Sequence, residues 1–73
     1  MINNTLLESQ DYILVYAVIL SEGWNYVIKD KNTTEVIDFF KSYREAKLKF
    51  YETVPKLEIE LYGLRVLDRH PAR

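Results

Sequence analysis

The residues able to do chemistry in this chain are few. There is no cysteine, and so no thiolate nucleophile, thiolate metal ligand or disulfide. Ser9, Ser21 and Ser42 have no histidine near them in sequence. The single histidine, His70, sits in the polar end of the chain, where a solvated ring is the ordinary state. Glu58 and Glu60 would lie about 7 Å apart on one face of a strand, a separation that suits an acid–base pair. The same alternation also describes the wet side of a half-buried strand. The run DKNTTE, residues 30–35, supplies oxygen ligands without the glycine and ligand spacing of a calcium loop. The two glycines, Gly23 and Gly63, make no phosphate-cradling pattern. On these grounds the protein reads as a non-enzyme, with no catalytic residue, no metal and no cofactor.

Binding chemistry is better represented. The segment FFKSYREAKLKFYETV, residues 39–54, interleaves Lys41, Arg44, Lys47 and Lys49 with aromatic residues. Basic side chains beside aromatic ones suit phosphate and base contacts, and also protein interfaces, where Arg and Tyr are enriched. Helical periodicity sorts the segment. With Tyr43 at zero on a 100° wheel, Ala46, Phe50, Thr53 and Val54 gather into a core stripe, and Glu45 stands four residues before Lys49 as a helix salt pair would. Leu48 and Tyr51 fall off the core stripe, among Arg44 and Lys47. An apolar residue shielded by lysine stems is the plain account of Leu48; a partner contact is the functional one.

These residues must be positioned by a small scaffold. DYILVYAVIL, rich in β-branched and aromatic residues, predicts a strand over 12–20. SEG turns the chain, and WNYVIKD predicts a second strand with Trp24, Tyr26 and Ile28 on one face and Asn25, Val27 and Lys29 on the other. DKNTTE is turn chemistry, with Asn32 suited to a left-handed conformation. EVIDFF reads either as a third strand or as the first turns of a long helix. The strand is preferred because Ser42 and Glu45 form a capping box that starts a helix over about 43–54. Pro55 then stops that helix. KLEIELYGLRVL predicts a final strand, with Leu57, Ile59 and Leu61 alternating with Glu58, Glu60 and Tyr62. Residues 1–10 read as a lead-in arm and 68–73 as a polar tail, around one domain spanning 1–73. The predicted order is β-β-β-α-β, or β-β-α-β if 36–40 is helical. Either is a two-layer α+β domain with a small, mainly antiparallel sheet and one helix on one face.

YILVYAVIL is apolar on both faces: Tyr12, Leu14, Tyr16, Val18 and Leu20 on one, Ile13, Val15, Ala17 and Ile19 on the other. One helix of a dozen residues, about 18 Å long, covers a single side of a sheet. The second face is then covered either by Ile2, Leu6 and Leu7 folding back from the arm, by a second copy, or by another protein. Each large side chain left exposed forgoes about 1.5–3 kcal/mol.

Composition limits the function classes further. At 48% hydrophobic and 14% aromatic the chain is not a disordered one. The longest apolar run, Tyr12–Leu20, is too short for a membrane helix, and MINNTLLESQD lacks the basic and apolar regions of a signal peptide. A soluble, cytoplasmic protein is expected, with no membrane partner. The net charge is −1, which makes no general case for nucleic acid, although residues 1–40 carry −4 and residues 41–73 carry +3.

A strand with Gly23 and Trp24, a turn, a further strand and a helix containing Ser42, Glu45 and Ala46 resembles the arm-site DNA-binding domains of tyrosine integrases, over about residues 23–50. That resemblance implies a three-stranded sheet entering a DNA groove. The strands here carry only Lys29 and Lys31 as bases, so no binding residue is carried over. The leading expectation is a protein-interaction module, an accessory or regulatory subunit or an inhibitor of the phage type. It would be a homodimer or bind another protein through Tyr12, Leu14, Tyr16, Val18, Leu48 and Tyr51. The alternative is a nucleic-acid-binding module using Lys41, Arg44, Lys47 and Lys49.

Overall fold

The computed structural model describes residues 4–69; Ile2 and His70, with the end of the tail, lie outside them. Strand β1 spans Thr5–Glu8, β2 Tyr12–Ile19, β3 Gly23–Asp30 and β4 Val36–Phe40. Helix α1 spans Tyr43–Thr53, helix α2 Lys56–Tyr62, and a two-residue strand β5 Arg65–Val66. The strands form one sheet in the order β4-β3-β2-β1-β5, each neighbour antiparallel. The molecule is therefore an α+β fold with a small antiparallel sheet. Residues 36–40 are a strand, and the helix that follows starts where the capping box predicts: the Ser42 hydroxyl accepts from the backbone N–H of Glu45.

Local chemistry accounts for most of the boundaries. The β2–β3 hairpin closes through Gly23, at φ 76 and opposite Ile19 in the register, a left-handed backbone that glycine adopts without steric cost. The Asn25 amide donates to the carbonyls of Glu22 and Gly23 and fixes that turn. At the other end, Asp30 Oδ1 accepts from the N–H groups of Asn32 and Thr33, so this carboxylate is engaged in an Asx-type turn. The left-handed residue of that turn is Thr34, at φ 60, and not Asn32.

Two expectations are corrected. Within the expected arm, Thr5–Glu8 is not loose but an inner strand, held between β2 and β5. Leu6 and Leu7 are both fully buried although adjacent in sequence. The register slips between Thr5, opposite Val15, and Leu7, opposite Leu14, so two residues of β1 face one of β2. A bulge of this kind breaks the alternation and lets both leucines join the core. They complete the sheet's edge of the core and do not fold over its second face.

The second correction concerns 56–62, which is a helix and not the last strand. Leu57 and Leu61 are exposed while Ile59 packs against the core. A strand would have placed all three on one side. In a helix, residues two apart point about 200° apart, so Ile59 turns inward and its neighbours outward. Pro55 carbonyl receives the first N–H groups of this helix, and Gly63, at φ 82, ends it. Glu58 and Glu60 are accordingly separated. Glu58 is buried, with its carboxylate accepting from the Asp11 N–H at 3.3 Å, and Glu60 is exposed.

The core lies between the sheet and α1. Leu6, Leu7, Leu14 and Ile28 from the strands meet Ala46 and Phe50 of α1 and Val54 at its end. The helical stripe of the core is the one that periodicity predicts. The helix salt pairs predicted around Glu45 and Lys49 do not form; among the described residues the ion pairs centre on Glu8, with Lys31 at 2.7 Å and Arg65 at 3.3 Å. Those two bases join β1 to the β3–β4 turn and to β5. The hydrogen bond and charge of Lys31 outweigh burial and hold the Glu8 carboxyl below its ordinary range. A lowered carboxyl contributes stability above the unfolded pKa, about 4.3, and loses it as pH falls through the folded value. Glu8→Gln is expected to cost about 1 kcal/mol at pH 7, with the difference vanishing in strong acid. Urea titrations at pH 7 and in strong acid measure both values, and an equal loss at each would contradict the role.

Candidate functional site

Two surfaces stand out once the sheet is assembled. The first is the sheet face away from the helices. Register puts Thr5, Val15, Val27 and Phe39 in one row across four strands. Ile13 and Lys29 pair beside that row on one side, and Ala17 and Asn25 on the other. Val27 and Asn25 are buried, Val15, Ile13 and Ala17 are half-buried, and Phe39 is 42% exposed. Among the described residues no helix lies over them, because α1 and Ile59 of α2 pack on the side of Leu14 and Ile28. The Asn25 amide nitrogen is used by the hairpin, while its Oδ1 is buried on this face without a hydrogen-bond partner.

Tyr12, Leu14, Tyr16 and Val18 lie on the opposite, helix-covered side. Leu14 is fully buried in the core and is no surface residue; Tyr12 and Tyr16 pack against the same cluster, and Val18 is exposed beyond the reach of α1. A file of aromatic rings runs along this side. Tyr16 stacks on Trp24 with centroids 5.1 Å apart and meets Tyr26 in a tilted pair at 4.7 Å, and Tyr26 stacks on Tyr43 at 5.3 Å. Aromatic pairs of this kind add about 0.5–1.5 kcal/mol beyond their buried area. They locate the first turn of α1 over β3.

The second surface grows from that file. Lys47 Nζ sits over the Tyr43 ring, 5.1 Å from its centroid, and a shallow depression of about 300 Å³ opens between Tyr43, Arg44, Lys47, Leu48 and Tyr51. Leu48 is 60% exposed and Tyr51 45%. The structure thus brings together four residues that the sequence singles out: Arg44, Lys47, Leu48 and Tyr51. It leaves Lys41 and Lys49 outside the depression. The Lys41 ammonium reaches back to the Glu22 carbonyl at the β2–β3 hairpin.

The floor of the depression is held from below. Tyr43 OH donates to Asp68 Oδ1 at 2.8 Å. Burial, together with the Asp68 hydrogen bond and charge, pushes the phenol well above its ordinary value. The folded phenol binds its proton more tightly than the unfolded one. Stability that is complete below about pH 10 is therefore lost as pH rises beyond it. Tyr43→Phe is expected to flatten this alkaline loss, which thermal melts from pH 8 to pH 11.5 would reveal; an unchanged alkaline slope would dissociate Tyr43 from it.

The sequence does not tell the open sheet face from the covered one, because both faces of β2 are apolar and only the position of α1 distinguishes them. Ile13, Val15 and Ala17 carry the same signal as their neighbours. No helix among the described residues is long and apolar enough to cross a membrane. Compared with protein-family models, curated proteins and solved structures, the chain matches none of them.

Proposed function

We propose that this protein is a non-enzymatic protein-interaction module that works as a homodimer, two copies meeting through their open sheet faces. It serves as an accessory or regulatory subunit, or as an inhibitor of the phage type, in a reducing compartment such as the cytoplasm. The observation that carries the reading is the apolar row Val15–Val27–Phe39 with Ile13 and Ala17 beside it, over which no helix lies among the described residues. A sheet with one covered and one open face ordinarily wets the open side with polar residues. Here Ile13, Val15, Ala17, Val27 and Phe39 share the open side with Thr5, Asn25 and Lys29, an apolar centre of the kind that meets a second sheet about 10 Å away in a sandwich.

The dimensions suit a second copy. Strands of four, eight, eight and five residues, at about 3.4 Å rise and about 4.8 Å spacing, give a face of roughly 400 Å² in plan. Two such faces bury about 800 Å² before side-chain relief is added, somewhat under the ~1,000 Å² of the smallest specific interfaces, as suits a weak dimer. The dimer is therefore expected to hold at micromolar concentration and to dissociate on strong dilution. Light scattering on a sizing column tests it: a mass near twice 8.7 kDa supports the reading. A monomer at every concentration overturns it.

The nucleic-acid reading rests on Arg44 and Lys47, supplemented by Lys41 and Lys49. It requires strongly salt-dependent binding of an oligonucleotide, since neutralising phosphates releases counterions. The spread of those bases over two sides of α1, with Lys41 drawn to the hairpin, favours the protein reading.

A further inference from the structure

We infer that the solvent-side stripe of α1 is a docking site for an acidic protein segment that carries a large apolar side chain. The inference rests on the protein-interaction reading but uses a surface separate from the open sheet face. Arg44, Lys47, Leu48 and Tyr51 stand at i, i+3, i+4 and i+7 and so share about 100° of the helix. That is the spacing of a buried stripe, yet Leu48 and Tyr51 face solvent. The ordinary core stripe of α1, Ala46 and Phe50, is already used.

Charge decides what kind of occupant fits. Among the described residues neither Arg44 nor Lys47 forms an ion pair. The sequence denies them one on the helix: the residues four after them are Leu48 and Tyr51, and those four before are Phe40 and Tyr43. The helix acids, Glu45 and Glu52, flank the Leu48 edge of the stripe, about 90–110° from its centre, and neither reaches Arg44 or Lys47 as an ion pair. Arg44 and Lys47 are instead an unfavourable like-charge pair at i, i+3, which a carboxylate placed between them would relieve. Between these two cations the depression of about 300 Å³ is apolar, with Leu48 and the Tyr43 and Tyr51 rings as its walls. It admits a leucine or an aromatic side chain of a partner. Pre-organisation adds to the case. Lys47 rests on Tyr43, and Tyr43 is fixed by Asp68 and by stacking on Tyr26, so little ordering remains to be done on binding.

A random 12-residue peptide-display library, panned against the full chain, is the test. Recovered peptides are expected to carry Asp or Glu flanking Leu, Phe or Trp. Their affinity is expected to fall at least about tenfold in Arg44→Glu/Lys47→Glu and in Leu48→Ser, and with rising salt, while circular dichroism shows the fold retained. Val15→Lys, on the open sheet face, is expected to leave that affinity unchanged. Peptides without acids, or peptides indifferent to the α1 variants, overturn the inference. Peptides lost only in Val15→Lys overturn it too, while leaving the sheet-face reading intact. A single-stranded oligonucleotide that binds the full chain and is lost with the same charge reversals assigns the stripe to nucleic acid and overturns it as well. Should the double variant unfold, amide shift mapping of the unaltered chain by NMR replaces it: shifts at Arg44, Lys47, Leu48 and Tyr51 support the site, and shifts confined to the sheet oppose it.

Discussion

Val15→Lys is expected to reduce the mass in solution from a dimer to a monomer of 8.7 kDa while the domain stays folded. Val15 stands at the centre of the open face, paired with Thr5 on one side and Val27 on the other. In a monomer the lysine stem lies along the apolar row and its ammonium reaches water, so the substitution is well tolerated. In a face-to-face dimer the two-fold axis brings the new charges into a desolvated layer, where an unpaired charge costs several kcal/mol. That is a large part of the free energy of a micromolar dimer, about 8 kcal/mol. Phe39→Lys, in the same row at the sheet edge, is the companion variant should Val15→Lys destabilise the strand. Two folded variants that both remain dimeric would place self-association elsewhere. The sequence on its own would have directed this experiment to Leu14 or Tyr16. Leu14 is core, and charging it would unfold the domain and leave association untested.

Leu6→Ala is expected to cost about 2–5 kcal/mol, enough to leave a domain of this size largely unfolded at room temperature. Leu6 is fully buried and meets Leu7 and Leu14 in one cluster. Its carbonyl accepts the N–H groups of Leu67 and Asp68, so the backbone around it is shared by β1 and the segment after β5. A bulge has little freedom to close over a missing side chain, and the cavity would persist. Urea unfolding followed by circular dichroism measures the loss. A variant as stable as the parent would mean that residues 5–8 are dispensable to the core. A loss of the expected size would mean that the strand over residues 5–8 is needed for the fold.

Both experiments depend on features that differ in how plainly they are written in the chain. The strands 12–19 and 23–30, the turn between them at Gly23, and the helix start at Ser42 follow from local rules. These are β-branched runs, a glycine where φ is positive, and a hydroxyl that satisfies an exposed N–H. Each operates within a few residues, so each is legible without knowing the rest of the molecule. The core stripe of α1 is legible for the same reason, and so is the exposure of Leu48 and Tyr51.

The segment 56–62 shows where local rules run out. Leu57, Ile59 and Leu61 alternate, while Leu57 and Leu61 are also one helical turn apart, and seven residues are too few for either period to prevail. The proline before and the glycine after were the better signal, since Pro favours a helix start and Gly its end. Residues 5–8 were illegible for a different reason. Two adjacent leucines fit no strand alternation, and only pairing with β2 creates the bulge that turns both inward. By itself the sequence determined that a two-faced apolar strand, a hairpin and one amphipathic helix would make an α+β domain. Tertiary structure decided which face of β2 the helix covers, and hence which residues are core and which lie on the open face. An apolar strand is symmetric to water; only the side on which a helix settles makes its two faces different.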